Sequence, residues 1–256
     1  MSCPFSSEEH AGDFLGENLV FSREANKNRP HVTLTFAQSQ DGKIAGAHKT
    51  QLALSGSESM LMTHKLRTLH DGIMVGIGTV LNDNPQLNAR LLSSPPAVSD
   101  LPRPIVLDSN LRTPVDCKLI KNHIAGVGRQ PLILSSNLAS VERRSLLEKI
   151  GAQVIQIEHG SSTGLLNWSM LLKHLYDAGV RRLMVEGGAA VIDGLMQQPH
   201  FIDALLVTIA PVTVGSEGLG FSSALPNVEA TTAATHWKTS YRAMFGKDQV
   251  ILWHRR

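Results

Sequence analysis

Cysteine is almost absent from the chain, because only Cys3 and Cys117 occur among its 256 residues. The two lie far apart in the sequence and form no CxxC pair, which argues against a disulfide framework and against a zinc site built on thiolates. Such sparing use of cysteine is typical of a reducing compartment, and we therefore expect a cytoplasmic protein.

Long hydrophobic runs and an excess of one charge are also missing. The longest apolar stretch, residues 204–214, is interrupted by Thr208, Pro211 and Thr213. It is shorter than the roughly 20 residues that cross a membrane, and the acidic N-terminus does not resemble a signal peptide. Lys and Arg number 24 against 22 Asp and Glu, a net charge of +2 that argues against a nucleic-acid or membrane partner.

The motifs of several well-known enzyme classes are absent. The sequence contains neither GxxxxGK[ST] nor GxGxxG, the usual phosphate-binding loops, and neither the GxSxG nor the HExxH motif of hydrolases. It also lacks the HxE…PCxxC pattern of zinc deaminases. The 11 histidines are scattered, and we predict that none of them binds a metal.

What the sequence does contain is a regular alternation of strand-like and helix-like segments. Helical patterns cover residues 138–150, 165–178 and 189–197, and "GKD" separates two strand-like runs near the C-terminus. Such alternation favours parallel sheets, and nearly continuous apolar strands are covered on both faces. We predict an α/β fold with a mostly parallel central sheet flanked by helices and an antiparallel C-terminal hairpin. The predicted strands are His31–Ser39, 72–78, 104–108, 131–136, 152–157, 181–186 and 203–210.

The N-terminal segment differs from the rest of the chain. Residues 1–29 are polar and irregular, so we predict an N-terminal extension with one short helix, followed by a single domain over residues 30–256. Within that domain, Ser55 stands three residues before Glu58, and this spacing predicts a capping box at the start of a helix.

Glycines and polar residues follow several predicted strands, at the edge where open α/β sheets bind ligands. One strand ends in Glu186, Gly187 and Gly188, and Ala189 and Ala190 begin the next helix. Because free N–H groups at a helix N-terminus favour phosphate, this segment is either a diphosphate site or simply a tight strand-to-helix turn. Glu186 either contacts a substrate, as hydroxyl ligand or proton donor, or is a carboxylate stabilised by the helix dipole.

The densest polar stretch is "NDNPQLNAR", which ends at Arg90. Arg90 either binds a phosphate through its planar guanidinium or is a solvated loop residue. Arg67 either joins it in a site for an anionic substrate or only complements the C-terminal dipole of its own helix. The "NDNP" segment also fits a turn in which the side chains bond to their own backbone.

Five motifs carry a closer resemblance. Between Thr33 and Gly220 the chain contains, in this order, "SQDGKIA", "LRTLHDGIMVGIGTVLNDNPQLNAR", "RPIVLDSNLRTP", "VEGGAAVIDGL" and "FIDALLVTIAPVTVGSEG". They resemble the 2,5-diamino-6-ribosylamino-4(3H)-pyrimidinone 5′-phosphate reductases of riboflavin biosynthesis. That family has the fold of dihydrofolate reductase and is fused to a zinc deaminase in bacteria. Because this chain has no deaminase motif, it resembles the stand-alone fungal type.

The resemblance implies specific roles for residues in these motifs. Glu186 matches an acidic residue near the sugar and is the candidate catalytic group. The residues implied in binding the ribose phosphate are Arg67, Leu87 and Arg90. The residues implied in contacting NADPH are Ala37, Thr79, Asp83, Ser109, Gly187, Gly188, Ala189 and Ala190. Where bacterial relatives often carry a tryptophan against the cofactor, this chain has Ala53, and the first strand lacks a lysine that some bacterial members have.

The implied activity is NADPH-dependent reduction of the ribosylamino side chain to its ribitylamino form, by hydride transfer to C1′ of the ring-opened imine. The family also implies a homodimer. Residues 135–137 with Arg143 and Arg144 either hold the 2′-phosphate of NADPH or form an ordinary helix cap and a solvated helix face. The alternative functions are a pterin or folate reductase of the same fold and a non-catalytic nucleotide-binding protein.

Overall fold

A large twisted sheet, mostly parallel, organises the chain. The computed structural model describes residues 7–21, 28–47, 50, 52–158, 167–221, 225 and 236–256. Within these residues, nine strands form one sheet in the order β10-β11-β8-β1-β7-β3-β4-β5-β6, and β2 pairs with β9 in a small separate sheet. The strands are β1 His31–Ser39, β2 Lys43–Ala45, β3 Gly72–Gly76, β4 Arg103–Leu107, β5 Leu132–Ser136, β6 Gln153–Ile157, β7 Arg182–Gly187, β8 Ala204–Ala210, β9 Leu219–Gly220, β10 Trp237–Phe245 and β11 Asp248–Arg255.

Parallel pairing runs from β8 to β6, and antiparallel pairing joins β8 to β11 and β11 to β10. The predicted mostly parallel sheet with an antiparallel C-terminal hairpin is therefore confirmed. The strand from residue 72 ends at Gly76, two residues before its predicted end, because Ile77 already begins a helix. The helices are α1 Ser7–Asn18, α2 Ser57–Arg67, α3 Ile77–Asp83, α4 Lys118–Ile124, α5 Val141–Lys149, α6 Trp168–Asp177 and α7 Ala189–Met196.

Both faces of the sheet are buried, as the continuous apolar strands predicted. Successive side chains of a strand point to opposite faces. On β7, Met184 packs in a cluster with helices α1, α2, α4 and α5, whereas Leu183 and Val185 pack in a second cluster with α6 and α7. Gly151 and Gly179 follow α5 and α6 with φ angles of 101° and 92°, a left-handed backbone that glycine adopts without strain.

The predicted capping box at α2 is wrong. The helix begins at Ser57 after Gly56, and no side chain of the neighbouring sequence caps it. Instead Asp248, at the start of β11, accepts hydrogen bonds from the Gly56 N–H (2.7 Å) and from the Ser59 hydroxyl. The carboxylate of Asp248 thus caps the helix in place of the predicted local serine, and it links the C-terminal hairpin to α2.

The predicted short helix in the N-terminal extension is present as α1. It buries Ala11, Phe14 and Leu15 in the same cluster as Met62 and Leu66 of α2. The division of the chain at residues 29 and 30 stays a prediction. Of the helices in the described ranges, none is both long and apolar enough to cross a membrane.

Candidate functional site

A cavity of about 890 Å³ opens at the carboxyl ends of β1, β7, β3 and β4. This is the edge at which open α/β sheets bind ligands, and the volume is in the range of pockets for small molecules. Most of the residues singled out from the sequence lie on its wall. They are Ala37, Thr79, Asp83, Ser109, Glu186, Gly188, Ala189 and Ala190.

The turn from β7 to α7 brings two strand ends close together. Gly188 has a φ of 84°, and a Cβ atom placed on it would lie 3.2 Å from the Thr79 hydroxyl oxygen and 3.9 Å from the Cα of Gly76. A larger residue at position 188 would therefore be strained and would crowd the cavity wall. Gly187, with a φ of 112°, does not line the cavity, and its Cβ would meet Ile192 at 3.3 Å. Of the two glycines, Gly188 faces the ligand space and Gly187 allows the turn.

The N-terminus of α7 is suited to an anion. Its N-cap is Gly188, which has no side chain to cap the helix, and the carbonyl of Gly188 accepts from the N–H groups of Val191 and Ile192. The N–H groups of Ala189 and Ala190 belong to the first turn, where a helix has no internal acceptor for them. Together with the helix dipole, these N–H groups favour a phosphate on the cavity wall.

Glu186, two residues earlier, forms a two-pronged ion pair with Arg67. The Nε and Nη2 of Arg67 donate to the two carboxylate oxygens at 2.6 and 2.7 Å, and its Nη1 donates to the carbonyl of Asn88 at 2.8 Å. The exposed fractions of the two side chains are 10% and 14%, so the pair is largely withdrawn from water. Such charge-assisted, two-pronged bonds fix geometry strongly. Arg67 itself does not line the cavity, but its remaining N–H groups lie beside a carboxylate that does.

Arg90 lies next to this pair and is exposed. Partial desolvation of the Arg90 guanidinium lowers its pKa, the charge of Arg67 lowers it further, and the charge of Glu186 raises it. The three charged groups are therefore close enough to affect one another. The Nη1 of Arg90 donates to the side-chain oxygen of Asn88 at 3.0 Å. Two neighbouring guanidinium groups that repel each other would both be stabilised by a bound phosphate.

A buried histidine fixes the backbone of this arginine. The N–H of Arg90 donates to Nδ1 of His64 at 2.9 Å, while Nε2 of the same ring lies 3.4 Å from Nη1 of Arg67. Burial, reinforced by the charges of Arg67 and Arg90, lowers the pKa of His64 to about 3. The ring is therefore neutral at physiological pH, which leaves Nδ1 free to accept the backbone bond.

The loop between α3 and Arg90 carries backbone strain. Asn84 and Leu87 have φ angles of 43° and 47°, which are unusual for residues with side chains, and Leu87 is buried. The side chain of Asn84 does not bond to its own turn, since its Oδ1 accepts from the N–H of Lys118 at the start of α4. Strained loops that are held from several sides are common at binding sites. Neither Leu87 nor Arg90 lines the cavity.

Sequence reasoning missed two large residues of the cavity wall. Trp168 was hidden in a predicted helix that was expected to begin at residue 165, whereas α6 begins at Trp168 and follows its N-cap Asn167. Arg112 lies in the loop after β4, and the "SNLRTP" motif around it drew attention only to Ser109. Ala53, at the place of the bacterial tryptophan, does line the cavity and is exposed there.

Comparison with known proteins places this chain in a family. The sequence profile of the RibD C-terminal domain matches residues 30–243. A 2,5-diamino-6-ribosylamino-4(3H)-pyrimidinone 5′-phosphate reductase of Debaryomyces hansenii is 38% identical over 209 residues, which are 76% of this chain and 80% of that protein. The Saccharomyces cerevisiae protein of the same name is 35% identical over 191 residues, 74% of this chain and 75% of its own length.

The fold agrees with these sequence relations. The solved structure of the Saccharomyces cerevisiae riboflavin biosynthesis reductase Rib7 superposes with a TM-score of 0.73 at 27% identity, and the match covers 95% of this chain and 98% of that one. Acinetobacter baumannii RibD, at 20% identity, shares the fold with a TM-score of 0.72 over 94% of this chain and 62% of its own. The family that the five sequence motifs predicted is confirmed, and the chain belongs to the RibD C-terminal domain family together with the fungal 2,5-diamino-6-ribosylamino-4(3H)-pyrimidinone 5′-phosphate reductases.

Proposed function

We propose that this chain is an NADPH-dependent reductase of riboflavin biosynthesis. Its substrate is 2,5-diamino-6-ribosylamino-4(3H)-pyrimidinone 5′-phosphate, and it reduces the ribosylamino side chain to the ribitylamino form. One observation carries the proposal, which is that Glu186 and the start of α7 at Ala189, which is suited to an anion, border the same cavity three residues apart. A phosphorylated sugar at Glu186 and a dinucleotide at α7 would therefore lie side by side, as hydride transfer requires.

The cavity wall fits a nicotinamide dinucleotide. The diphosphate is assigned to the N–H groups of Ala189 and Ala190 at the start of α7, and Gly188 before them adds no side chain to the cavity wall. Thr79 and Asp83 of α3 and Ser109 after β4 line the same cavity, as the family resemblance implies for a cofactor site. When bound, the dihydronicotinamide would supply the hydride that reduces C1′ of the ring-opened imine, close to Ala37.

The substrate phosphate is assigned to Arg90, assisted by Arg67. Arg90 is exposed and keeps most of its N–H groups for a ligand, whereas Arg67 is buried and uses three of its five N–H groups in fixed bonds. Arg90 is therefore the main phosphate ligand, and Arg67 chiefly holds Glu186 in place. Leu87 acts through the strained loop that leads to Arg90.

Glu186 is assigned to the sugar. Both of its oxygens accept from Arg67, and each oxygen has a second lone pair directed elsewhere. In this state the group is a hydrogen-bond acceptor, so it would orient the ribose hydroxyls that are set free when the furanose ring opens. Of the two roles that the sequence left open, positioning the sugar fits this geometry better than donating a proton.

The test is the loss of near-ultraviolet absorbance of NADPH in the presence of the freshly prepared ribosylamino phosphate. Parallel reactions contain NADH in place of NADPH, or dihydrofolate in place of the pyrimidine. We expect rapid oxidation only with NADPH and the ribosylamino phosphate, and a ribitylamino product by mass spectrometry. Oxidation with dihydrofolate instead would assign the chain to a folate-type reductase. Binding of NADPH without turnover would indicate a nucleotide-binding protein.

The same proposal includes a homodimer. Strand β10 is the outer strand of the sheet, and Tyr241 and Met244 on it are exposed with fractions of 37% and 54%. An outer strand offers unpaired backbone groups to a second copy. Light scattering of the eluted protein is expected to give twice the mass of one chain, and a monomer mass would refute this part of the proposal.

A further inference from the structure

The cavity contains one source of positive charge that the proposed function has not used. Among the described residues that line it, Arg112 is the only one with a basic side chain, whereas Asp83 and Glu186 are acidic. The diphosphate of a dinucleotide is accounted for by the start of α7, and the substrate phosphate by Arg90. A cationic side chain on the wall of a site for anions attracts a further anionic group of the ligand.

The loop that carries Arg112 is held rigidly. Buried Asp108 accepts from the N–H and the hydroxyl of Thr113 at 2.7 and 2.8 Å. Arg143 of α5 donates to the carbonyls of Leu111 and Thr113 at 3.0 and 2.8 Å. Leu111 is buried and has a φ of 55°. The backbone on both sides of position 112 is therefore fixed before any ligand arrives.

The guanidinium of Arg112 is anchored at one end only. Its Nε lies 3.7 Å from Oδ1 of Asp108, an oxygen that is fully buried and has no hydrogen-bond partner among the described residues. The Arg112 side chain is 55% exposed. Asp108 thus draws the base of the guanidinium towards the loop, and the two Nη groups remain available at the cavity wall, in the fork that suits a phosphate.

The position of Arg112 along the sheet indicates which phosphate of the cofactor it can bind. Across the sheet the order is β1, β7, β3 and β4. The cavity wall therefore runs from Ala37 past the start of α7 and Thr79 to Ser109 and Arg112. Neighbouring strands lie about 4.8 Å apart, which puts β4 about 14 Å from β1. A dinucleotide with its nicotinamide at Ala37 and its diphosphate at α7 therefore has its adenosine near the β4 loop.

The other arginines near this end are committed to the protein itself. Arg143 supports the loop as described, and Arg144 donates to Glu148 at 2.9 Å and to Gln156 at 2.6 Å. The helix cap that was the alternative for residues 135–137 is formed instead by Ser140, which accepts from the N–H of Arg143. Neither arginine lines the cavity.

We propose that Arg112 binds the 2′-phosphate on the adenosine ribose and thereby sets the preference of this enzyme for NADPH over NADH. The inference rests on the proposed function for the orientation of the cofactor. Asp108 is the positioning residue that orients Arg112, and Ser109 of the same loop also lines the cavity.

The experiment compares 2′,5′-ADP with 5′-AMP by calorimetry, on the full chain, without any pyrimidine substrate. Arg112→Ala is the test variant, and Arg144→Ala, which removes the same charge from an exposed helix outside the cavity, is the matched control. We expect the wild-type chain to bind 2′,5′-ADP at least about tenfold more tightly than 5′-AMP. Arg112→Ala should lose that difference while its affinity for 5′-AMP stays within about twofold, and Arg144→Ala should behave as the wild type.

Kinetics give the second readout. In Arg112→Ala the KM for NADPH should rise at least about tenfold, with little change in the KM for NADH or in kcat. Equal losses for both nucleotides, an unchanged affinity of Arg112→Ala for 2′,5′-ADP, or a wild type that does not distinguish the nucleotides would each overturn the proposal. A chain that selects 2′,5′-ADP through Arg112 but does not reduce the ribosylamino phosphate would refute the proposed function and leave this inference standing.

Discussion

Two arginine–carboxylate pairs with nearly identical bond lengths lie at opposite edges of the sheet. At the carboxyl ends of the strands, Arg67 binds Glu186 with bonds of 2.6 and 2.7 Å. At the amino ends, Arg29 binds Asp203 with bonds of 2.6 and 2.7 Å. The exposed fractions are also close, 10% and 14% for the first pair and 11% and 17% for the second. Bond length and burial therefore do not distinguish a functional pair from a structural one.

The surroundings do distinguish them. Asp203 also accepts from the N–H of Val32 at 2.8 Å and lies 3.4 Å from Arg255, so its oxygens are saturated by the protein. Burial alone would raise the pKa of Asp203, but its bonds and the charge of Arg29 lower it overall. Glu186 borders a cavity and has Arg90 beside it. The Arg29–Asp203 pair is therefore structural, whereas Glu186 of the other pair keeps acceptor capacity for a ligand.

The largest effect should come from breaking the closed pair. Asp203→Asn leaves Arg29 without a counter-charge, and we expect the free energy of unfolding to fall by about 3–5 kcal/mol. Turnover per folded molecule should be unchanged, because the cavity lies at the other edge. Urea unfolding and a kcat corrected for the folded fraction check the two parts. A variant that is stable but slow would show that the two edges do not divide stability and function as described.

Acid should weaken the protein through its buried histidines. Burial lowers the pKa of both His31 and His70 to about 4, and ring contacts with Phe21 cover both. An unfolded histidine titrates near 6.5, so between that pH and 4 the unfolded chain binds protons that the folded chain does not. The free energy of unfolding should therefore fall as pH decreases through this window, by on the order of 3 kcal/mol for each fully protonated site.

His70→Gln provides the control for this pH dependence, because glutamine keeps hydrogen-bonding capacity but does not titrate. In the wild type His70 contacts the carbonyl of Leu66 and the hydroxyl of Thr33, both at 2.9 Å. Urea unfolding of both proteins from neutral pH to pH 4.5 should give a shallower slope for the variant. Parallel slopes would show that His70 does not contribute.

Glu186→Gln is the counterpart of Asp203→Asn at the open edge. Here we expect kcat to fall by about a hundredfold because the sugar loses its orienting carboxylate. The affinity for NADPH should stay close to that of the wild type. The loss in stability should be smaller than for Asp203→Asn, because Glu186 accepts bonds from Arg67 alone among the described residues, whereas Asp203 also holds Val32 and Arg255. Steady-state kinetics together with NADPH titration make the distinction. An unchanged kcat would remove Glu186 from the mechanism.

The smallest effect should come from Arg90→Ala, because the residue is exposed and contributes one ligand group. The KM for the phosphorylated substrate should rise roughly tenfold, as expected for the loss of a charge-assisted bond. Stability should change by less than about 0.5 kcal/mol, since exposed side chains contribute little. The same kinetics with the dephosphorylated nucleoside should not differ between variant and wild type. A KM that stays constant would exclude a phosphate contact at Arg90.

The sequence predicted the fold because its information there is local. The strands of the parallel sheet are short, mostly apolar runs, and β1 was predicted with both of its observed ends, His31 and Ser39. The cap of α2 could not be predicted in this way, because Asp248 lies almost 200 residues away and only the hairpin brings it to Gly56. Similarly, nothing near Asn84 reveals that its side chain bonds to α4.

The site was predicted in part for the same reason. Glu186, Gly188 and Thr79 lie at or just after the ends of strands, and the rule that ligands bind at strand ends is sufficient to place them on one wall. The pairing of Arg67 with Glu186 depends on how α2 crosses the sheet, so the sequence showed both residues but not their bond. Arg112 could be recognised only from the structure, in which it is the one basic side chain on the cavity wall among the described residues.

The central claim is that one cavity at the carboxyl ends of the strands holds both cofactor and substrate. A crystal structure of the chain with NADPH and the ribitylamino product phosphate tests it most directly. We expect the diphosphate at Ala189 and Ala190, the nicotinamide beside Ala37, and the product phosphate at Arg90 with its ribityl hydroxyls facing Glu186. A dinucleotide bound elsewhere, or a product whose phosphate lies away from Arg90 and whose side chain does not reach Glu186, would contradict the account.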